Sequence, residues 1–261
     1  MPIDLHSLKH DIEPIIRKAG EILLSYFNKT LEIHKKRDGS IVTSADLASE
    51  KYLKRELSAL VPGVSFHAEE SGTQGTNSYA FVIDPLDGTT NFSRGIGYFC
   101  ISVSLTYNDE PQLAVVYQPL LDEYFVGIRG DGAFLNGQRL DISDTVPLSD
   151  ALTVVGLPYT KNKRYFELLE LARTIAPHSF AFRHFGASAL DLAYVAAGRI
   201  NGVYLAELAW WDVAAGMLLV SLAGGEVTDF EGNVITPNFQ TCLAGSPEVY
   251  RQLKQLIDQA K

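Results

Sequence analysis

Apolar residues from Ile3 to Phe27 recur at steps of three and four: Ile3, Leu5, Leu8, Ile12, Ile15, Ile16, Ala19, Ile22, Leu23, Tyr26 and Phe27. That spacing is the helical period and predicts an amphipathic helix. Pro14 has no N–H to give to the ladder, so it is expected to bend this helix or to start its second part. Lys35-Lys36-Arg37-Asp38-Gly39-Ser40 predicts a polar turn. Thr43, with Asp46 three residues on, has the form of a capping box opening a helix to about Leu60, and Val61-Pro62-Gly63 stops it.

From Phe99 to Tyr107 the period shortens to two, as in a half-buried strand. Leu113 to Gln118 and Glu123 to Ile128 continue the sheet, with antiparallel neighbours expected. After Ala133-Phe134-Leu135, Asn136-Gly137 supplies the two positive-φ residues of a tight hairpin. Beyond about Asp150 strands and helices alternate: Leu152 to Leu157, a helix near Tyr165 to Ile175, Phe180 to Arg183, a helix near Ala189 to Ala197, and Gly202 to Leu205. A helix from Asp212 to about Ala223, strands near Glu226 and Cys242, and a last helix opened by Ser246-Pro247 complete the chain. The pattern predicts one α+β unit of two lobes, a mostly antiparallel sheet lobe over residues 1–149 and an α/β lobe over 150–261.

Composition narrows the function classes. A chain of 261 residues that is 46% hydrophobic can bury one large core or two fused smaller ones. Its formal charge of −9 opposes general affinity for nucleic acid or an anionic membrane, so a phosphate substrate would need metal ions to reach it. Cys100 and Cys242 are isolated, which suits free thiols in a reducing compartment, and a cytoplasmic location is expected. The N-terminus is charged, and no run approaches the ~18 apolar residues of a spanning helix, so a soluble protein is expected.

The candidate chemistry begins at Ala80-Phe81-Val82-Ile83-Asp84, an apolar strand running into Pro85-Leu86-Asp87-Gly88-Thr89-Thr90-Asn91-Phe92. Two carboxylates three residues apart and the Leu86 carbonyl offer hard oxygen ligands of the kind Mg²⁺ prefers. Gly88 lets the backbone approach a phosphate, and a helix starting at Thr89-Thr90 would aim N–H groups at it. Isolated DP and DG pairs are otherwise turn residues. Ala68-Glu69-Glu70-Ser71-Gly72 follows the apolar piece Val64 to Phe66; there Glu69 could join Asp84 on one ion, although an acidic pair before glycine also reads as a solvated loop. In Trp210-Trp211-Asp212-Val213-Ala214-Ala215-Gly216, Asp212 opens a helix, either as a ligand or as an N-cap. The two tryptophans read first as core. The six histidines show no ligand spacing.

Taken together, AEES, DPLDGTTNF and WWDVAAG resemble the inositol monophosphatase family, within the larger superfamily of lithium-sensitive, magnesium-dependent phosphatases, over nearly the whole chain. The resemblance implies a layered α-β-α-β-α sandwich, often a homodimer, with metals between the lobes. It implies one ion on Glu69, Asp84 and the Leu86 carbonyl, a second on Asp84, Asp87 and Asp212, and a third, weaker Mg²⁺ near Glu69. Thr89 falls on the threonine that orients the attacking water and Asp46 on the carboxylate bonded to it, so Asp46 has a role besides helix capping. The expected reaction is hydrolysis of a small phosphate monoester by metal-activated water, with no phosphoenzyme and with inhibition by lithium. The basic turn at Lys35 and Lys36 resembles the family's lid, and equally reads as a solvated hairpin.

Substrate contacts are expected at Asp87, Gly88, Thr89 and Asp212, and in the second lobe at Phe185-Gly186-Ala187-Ser188, chiefly Gly186 and Ser188. The sequence departs from the family at Leu205, where inositol-cleaving members carry a glutamate; Glu207 is a candidate substitute. A leucine accepts no hydrogen bond from a polyol, so fructose 1,6-bisphosphate, histidinol phosphate, 3′-phosphoadenosine 5′-phosphate and glycerol phosphates stay open beside inositol phosphate. Some bacterial relatives bind transcription machinery, so a protein-interaction regulator is the alternative of another class, and a sensor that binds sugar phosphate without turnover is a third.

Overall fold

The computed structural model describes residues 3–36, 39–142 and 146–260. Helix α1 (Leu5–Tyr26) is capped by Asp4, whose carboxylate accepts from the N–H groups of His6 and Ser7. It buries Leu8, Ile12, Ile16, Ala19 and Leu23, the stripe its periodicity announced. Pro14 does not start a second helix: it lies inside one continuous element. The hairpin of β1 (Ile33–Lys35) and β2 (Ile41–Thr43) follows, antiparallel with His34 opposite Val42. Arg37 and Asp38 of the expected polar turn lie outside the described residues. Thr43 and Asp46 form the expected capping box of α2 (Ser44–Leu60).

The first half then builds an eight-stranded sheet from β3 (Ser65–Ala68), β4 (Gly72–Gln74) and β5 (Tyr79–Asp87), and, after the short α3 (Thr89–Ser93), from β6 (Cys100–Tyr107), β7 (Glu110–Gln118), β8 (Glu123–Ile128), β9 (Gly132–Leu135) and β10 (Gln138–Arg139). The spatial order is β10-β9-β8-β7-β6-β5-β3-β4. Every pair is antiparallel except β3 with β5. Asn136 and Gly137 turn the last hairpin at φ 48° and 81°.

The second half supplies β11 (Leu152–Gly156), α4 (Lys163–Ile175), β12 (Ala181–Arg183), α5 (Ser188–Ala196), β13 (Gly202–Ala206), α6 (Trp210–Leu222), β14 (Glu226–Thr228), β15 (Thr241–Gly245) and α7 (Pro247–Gln259). Its sheet runs β12-β11-β13-β15-β14; β11 is parallel to β12 and β13, and the β15 pairs are antiparallel.

Core composition defines the layers. Helices α1 and α2 cover one face of the large sheet through Phe81, Ile83, Ile101 and Val103. Its other face, through Val82, Cys100, Ala114 and Val116, shares a core with α5, α6 and the small-sheet residues Val154, Val203 and Leu205. Helices α4 and α7 close the outer face of the small sheet on Val155, Tyr204 and Leu243. The result is the α-β-α-β-α sandwich. Strand β6 is not half-buried as its alternation suggested: every residue but Tyr107 is buried. Its polar positions face the helical layer and are satisfied on backbone carbonyls, Ser102 on Trp211, Ser104 on Leu113 and Thr106 on Ala80.

Candidate active site

In a regular strand, residues three apart point to opposite faces, so Asp84 and Asp87 should diverge. The β5–β6 ladder prevents this. Asp84 pairs with Ser102 and Asp87 with Cys100, so three steps on β5 match two on β6 across a register shift. The bulge turns both carboxylates to the face that carries α5 and α6, while Leu86 is buried in the opposite core.

The third acid arrives on α6. Asp212 is not the N-cap; it stands at the helix's third position and reaches back to accept from the N–H of Ala209 at 2.7 Å. Asp84, Asp87 and Asp212 each place one carboxylate oxygen within 4.8 Å of the others. Burial raises the pKa of Asp84 well above the usual range, and the charges of Glu69, Asp87 and Asp212 add to it. Asp212 is raised for the same reasons, burial first and then Asp87 and Glu69. Burial lifts Asp87 to about 6, although the N–H groups of Leu190 and Ala189 and the Cys100 thiol favour its anion.

Glu69 sits at the margin. Its N–H donates to the Ile83 carbonyl at 3.1 Å, and its carboxylate is met by the Lys36 ammonium at 2.6 Å, which also reaches Glu70 at 2.7 Å. Neither glutamate is a solvated loop residue, with side chains 19% and 7% exposed. Burial opposes the charge on Lys36, but Glu69 and Glu70 outweigh it and raise its pKa. Lys36 of the basic turn therefore lies against the acids, whereas Lys35 is exposed.

Thr89 Oγ1 lies 3.0 Å from both Asp46 Oδ1 and the Leu86 carbonyl. The other oxygen of Asp46 takes the Thr43 N–H at 2.9 Å and its hydroxyl at 2.5 Å. Asp46 thus both caps α2 and accepts from Thr89. Burial raises its pKa to about 6 against the hydrogen bonds from Thr43. Gly88 is required where it stands: its φ is 89°, and a Cβ there would lie 2.9 Å from the Tyr98 carbonyl oxygen and 3.1 Å from Ala187 Cβ.

The second half meets this loop directly. Asp87 accepts from the N–H groups of Ser188, Ala189 and Leu190 at 3.2, 2.8 and 3.3 Å, capping α5 from outside, where Ala187 offers no side-chain cap. Gly186 is exposed at φ 80°. Leu205 is wholly buried in the central core, and Glu207 is exposed at φ 54°, its two carboxylate oxygens bound by Asn162 Nδ2 at 2.9 and 2.8 Å.

Sequence reasoning passed over three residues that this geometry brings in. Asn91 ties the loop to the second half through its Nδ2, bonded to the carbonyls of Tyr98 and Phe185 at 2.9 and 2.8 Å. Cys100 lies 3.6 Å from Asp87, and Tyr159 reaches Thr90. Asn91 belongs to the DPLDGTTNF stretch and was open to notice; no local pattern marks the other two.

The family profile described as "Inositol monophosphatase family" matches residues 5–260. The chain belongs to that family. An inositol-1-monophosphatase of Mesorhizobium japonicum is 36% identical over 244 residues, covering 92% of each chain. A protein of Xylella fastidiosa named Nus factor SuhB is 36% identical over 249 residues, covering 92% of this chain and 90% of its own. The crystal structure of extragenic suppressor protein suhB from Bartonella henselae superposes with a TM-score of 0.92 at 35% identity, over 97% of this chain and 99% of that one. This inositol monophosphatase family member therefore has relatives under two kinds of name, and the sandwich read from its layers is the fold of its structural neighbours.

Proposed function

We propose that this chain is a Mg²⁺-dependent hydrolase of a small phosphate monoester, an inositol monophosphate-like, sugar, polyol or nucleotide phosphate. The observation that carries the reading is the convergence of Asp84, Asp87 and Asp212, delivered by two distant segments and crowded beyond what three ionised carboxylates tolerate unaided. The Lys36 charge eases Asp212, but its ammonium is held by Glu69 and Glu70, and among the described residues no ion pair joins a basic side chain to any of the three. An all-oxygen, buried, mutually repelling set fits a hard divalent cation.

In this reading Glu69, Asp84 and the Leu86 carbonyl hold one Mg²⁺, Asp84, Asp87 and Asp212 hold a second, and a third binds near Glu69. Bound there, Mg²⁺ supplies a water of lowered pKa and offsets the negative charge of the phosphoryl group and leaving oxygen. Thr89 donates its hydroxyl hydrogen to Asp46 or Leu86, which leaves its lone pairs to accept from the attacking water and aim it. Asp46, fixed by Thr43, holds the Thr89 hydroxyl in the orientation this requires. Gly88, Thr89, Gly186 and Ser188 border the space for the ester. Lys36 must leave Glu69 for the first ion to use it. A homodimer in the cytoplasm and inhibition by lithium belong to the same proposal. No helix among the described residues is long and apolar enough to cross a membrane.

A second reading, action through protein contacts with transcription machinery, draws on the relatives named Nus factor SuhB. One panel separates the two. Purified protein is given inositol 1-phosphate, glycerol phosphates, fructose 1,6-bisphosphate, histidinol phosphate and 3′-phosphoadenosine 5′-phosphate, with and without Mg²⁺, with lithium as a control. Phosphate release that needs Mg²⁺ and falls with lithium is expected; silence across the panel sinks the hydrolase reading and leaves the interaction one.

A further inference from the structure

The connection from β11 to α4 crosses from the small sheet toward α3. Within it, Tyr159 Oη lies 3.3 Å from Thr90 Oγ1, one residue past Thr89. The residue as a whole is 55% exposed. Burial raises the phenol pKa against the hydrogen bond to Thr90, and the charges of Asp87, Asp212 and Glu69 push it the same way as burial. The oxygen end is therefore tied to the loop that carries Asp87 and Thr89, while more than half of the residue stays open to solvent. An aromatic side chain tied at its tip and largely exposed offers a stacking surface at low conformational cost.

Two neighbours point the same way. Leu205, at the position where a hydroxyl acceptor was expected, is sealed in the core and packs over Gly156, where a Cβ would lie 2.6 Å from its Cδ2. Glu207, the candidate substitute, has both oxygens engaged by Asn162 of this same connection, and Asn162 Oδ1 is itself used by the N–H of Tyr165 at 3.1 Å. This connection thus presents an exposed aromatic beside Thr90, with the Glu207 carboxylate already committed to Asn162.

We propose that Tyr159 is a specificity-determining residue whose ring face receives the leaving group of the phosphate ester, favouring aryl and nucleoside leaving groups over open polyols; this rests on the phosphatase reading above. Stacking of this kind is worth enough to shift binding about tenfold.

The test uses full-length protein with Mg²⁺ and two ligands that need no turnover, phenylphosphonate and methylphosphonate, titrated calorimetrically. The wild type is expected to prefer phenylphosphonate. Tyr159→Ala and Tyr159→Leu should lose about tenfold in that preference while methylphosphonate binding stays within about twofold, and Tyr159→Phe should keep it. Glu207→Gln should leave it unchanged. Thermal melts that match wild type establish that the variants fold. An unchanged preference in Tyr159→Ala, or equal weakening of both phosphonates, overturns the proposal. So does a preference that disappears in Glu207→Gln but not in Tyr159→Ala. The hydrolase reading fails separately, by the absence of Mg²⁺-dependent phosphate release in wild type, and the loss of phenyl preference in Tyr159→Ala supports the ring platform in either case.

Discussion

Asp84 is the residue on which stability and activity pull in opposite directions. It is 2% exposed, its pKa is driven up by burial and then by three acidic neighbours, and the one stabilising contact opposing these is the Leu86 N–H at 3.0 Å. Asp84→Asn keeps the volume and an oxygen for that N–H while removing a buried charge. Without metal the variant is expected to melt higher than wild type, by about 2–4 °C if the relief is near 1 kcal/mol. With Mg²⁺ it should lose most turnover, because an amide is a poor ligand for a hard cation. Melts in EDTA and initial rates in Mg²⁺ check both halves; near wild-type turnover rejects the ligand assignment. Such opposed effects are the mark of a strained functional group. The identity of Asp84, Asp87 and Asp212 as candidates was legible in the sequence, since strand-end acids and WWDVAAG stand out. The register shift that makes Asp84 and Asp87 share a face was not, because a bulge is a property of the pair of strands.

At the scale of elements, α6 does the most to place the site. Its run Val213-Ala214-Ala215-Gly216 is buried, and Gly216 lies so close to α5 that an added Cβ would stand 2.4 Å from Leu192 Cβ and 2.8 Å from its Cδ1. Small residues here let two helices fit as one layer between two sheets. Gly216→Ala should gain up to about 1 kcal/mol of helix propensity, yet overpacking of this kind costs about 1–3 kcal/mol and moves rigid atoms, so the net is destabilising. Ser221→Ala, exposed on the same helix, is the control and should be neutral or stabilising. Chemical denaturation of the two variants checks the sign; a Gly216→Ala protein as stable as wild type would mean that α5 yields without cost. Element type was readable throughout, because caps and periods are local. Thr43 with Asp46, Asn136-Gly137 and Ser246-Pro247 each mark the boundary that the fold uses. What failed was context. The alternation in β6 suggested one wet face, but α6 covers it, and the start of α6 at Trp210 was hidden because Ala209 is an N-cap without a side-chain acceptor.

For the whole molecule, the decisive feature is that the helical layer of the second half finishes the core of the first. Val82, Cys100 and Phe125 share one core with Leu190, Val213 and Leu219, so the acids of β5 and α6 meet only when both halves are docked. The same docking concentrates negative charge, and stability must therefore depend on protons and cations together. In the metal-free protein Asp46 and Asp87 are raised to about 6 and Glu70 to about 7, each by burial first, and Asp84 and Asp212 are raised as well. In the unfolded chain the same groups titrate near ~3.9 for Asp and ~4.3 for Glu. Between those values and about 6 to 7 the native state holds more protons than the unfolded state, so stability is fully present at lower pH and declines as pH rises through that window. Mg²⁺ binds the ionised cluster, and its contribution grows with the logarithm of its concentration over its dissociation constant, so it should matter most where protons have left. In EDTA the melting temperature is expected to fall between about pH 5 and pH 8, and the increment from saturating Mg²⁺ to be larger at the upper end. Paired melts across that range measure both slopes. A Mg²⁺ increment independent of pH, or a metal-free protein that gains stability toward pH 8, is incompatible with a buried acidic cluster acting as the cation site.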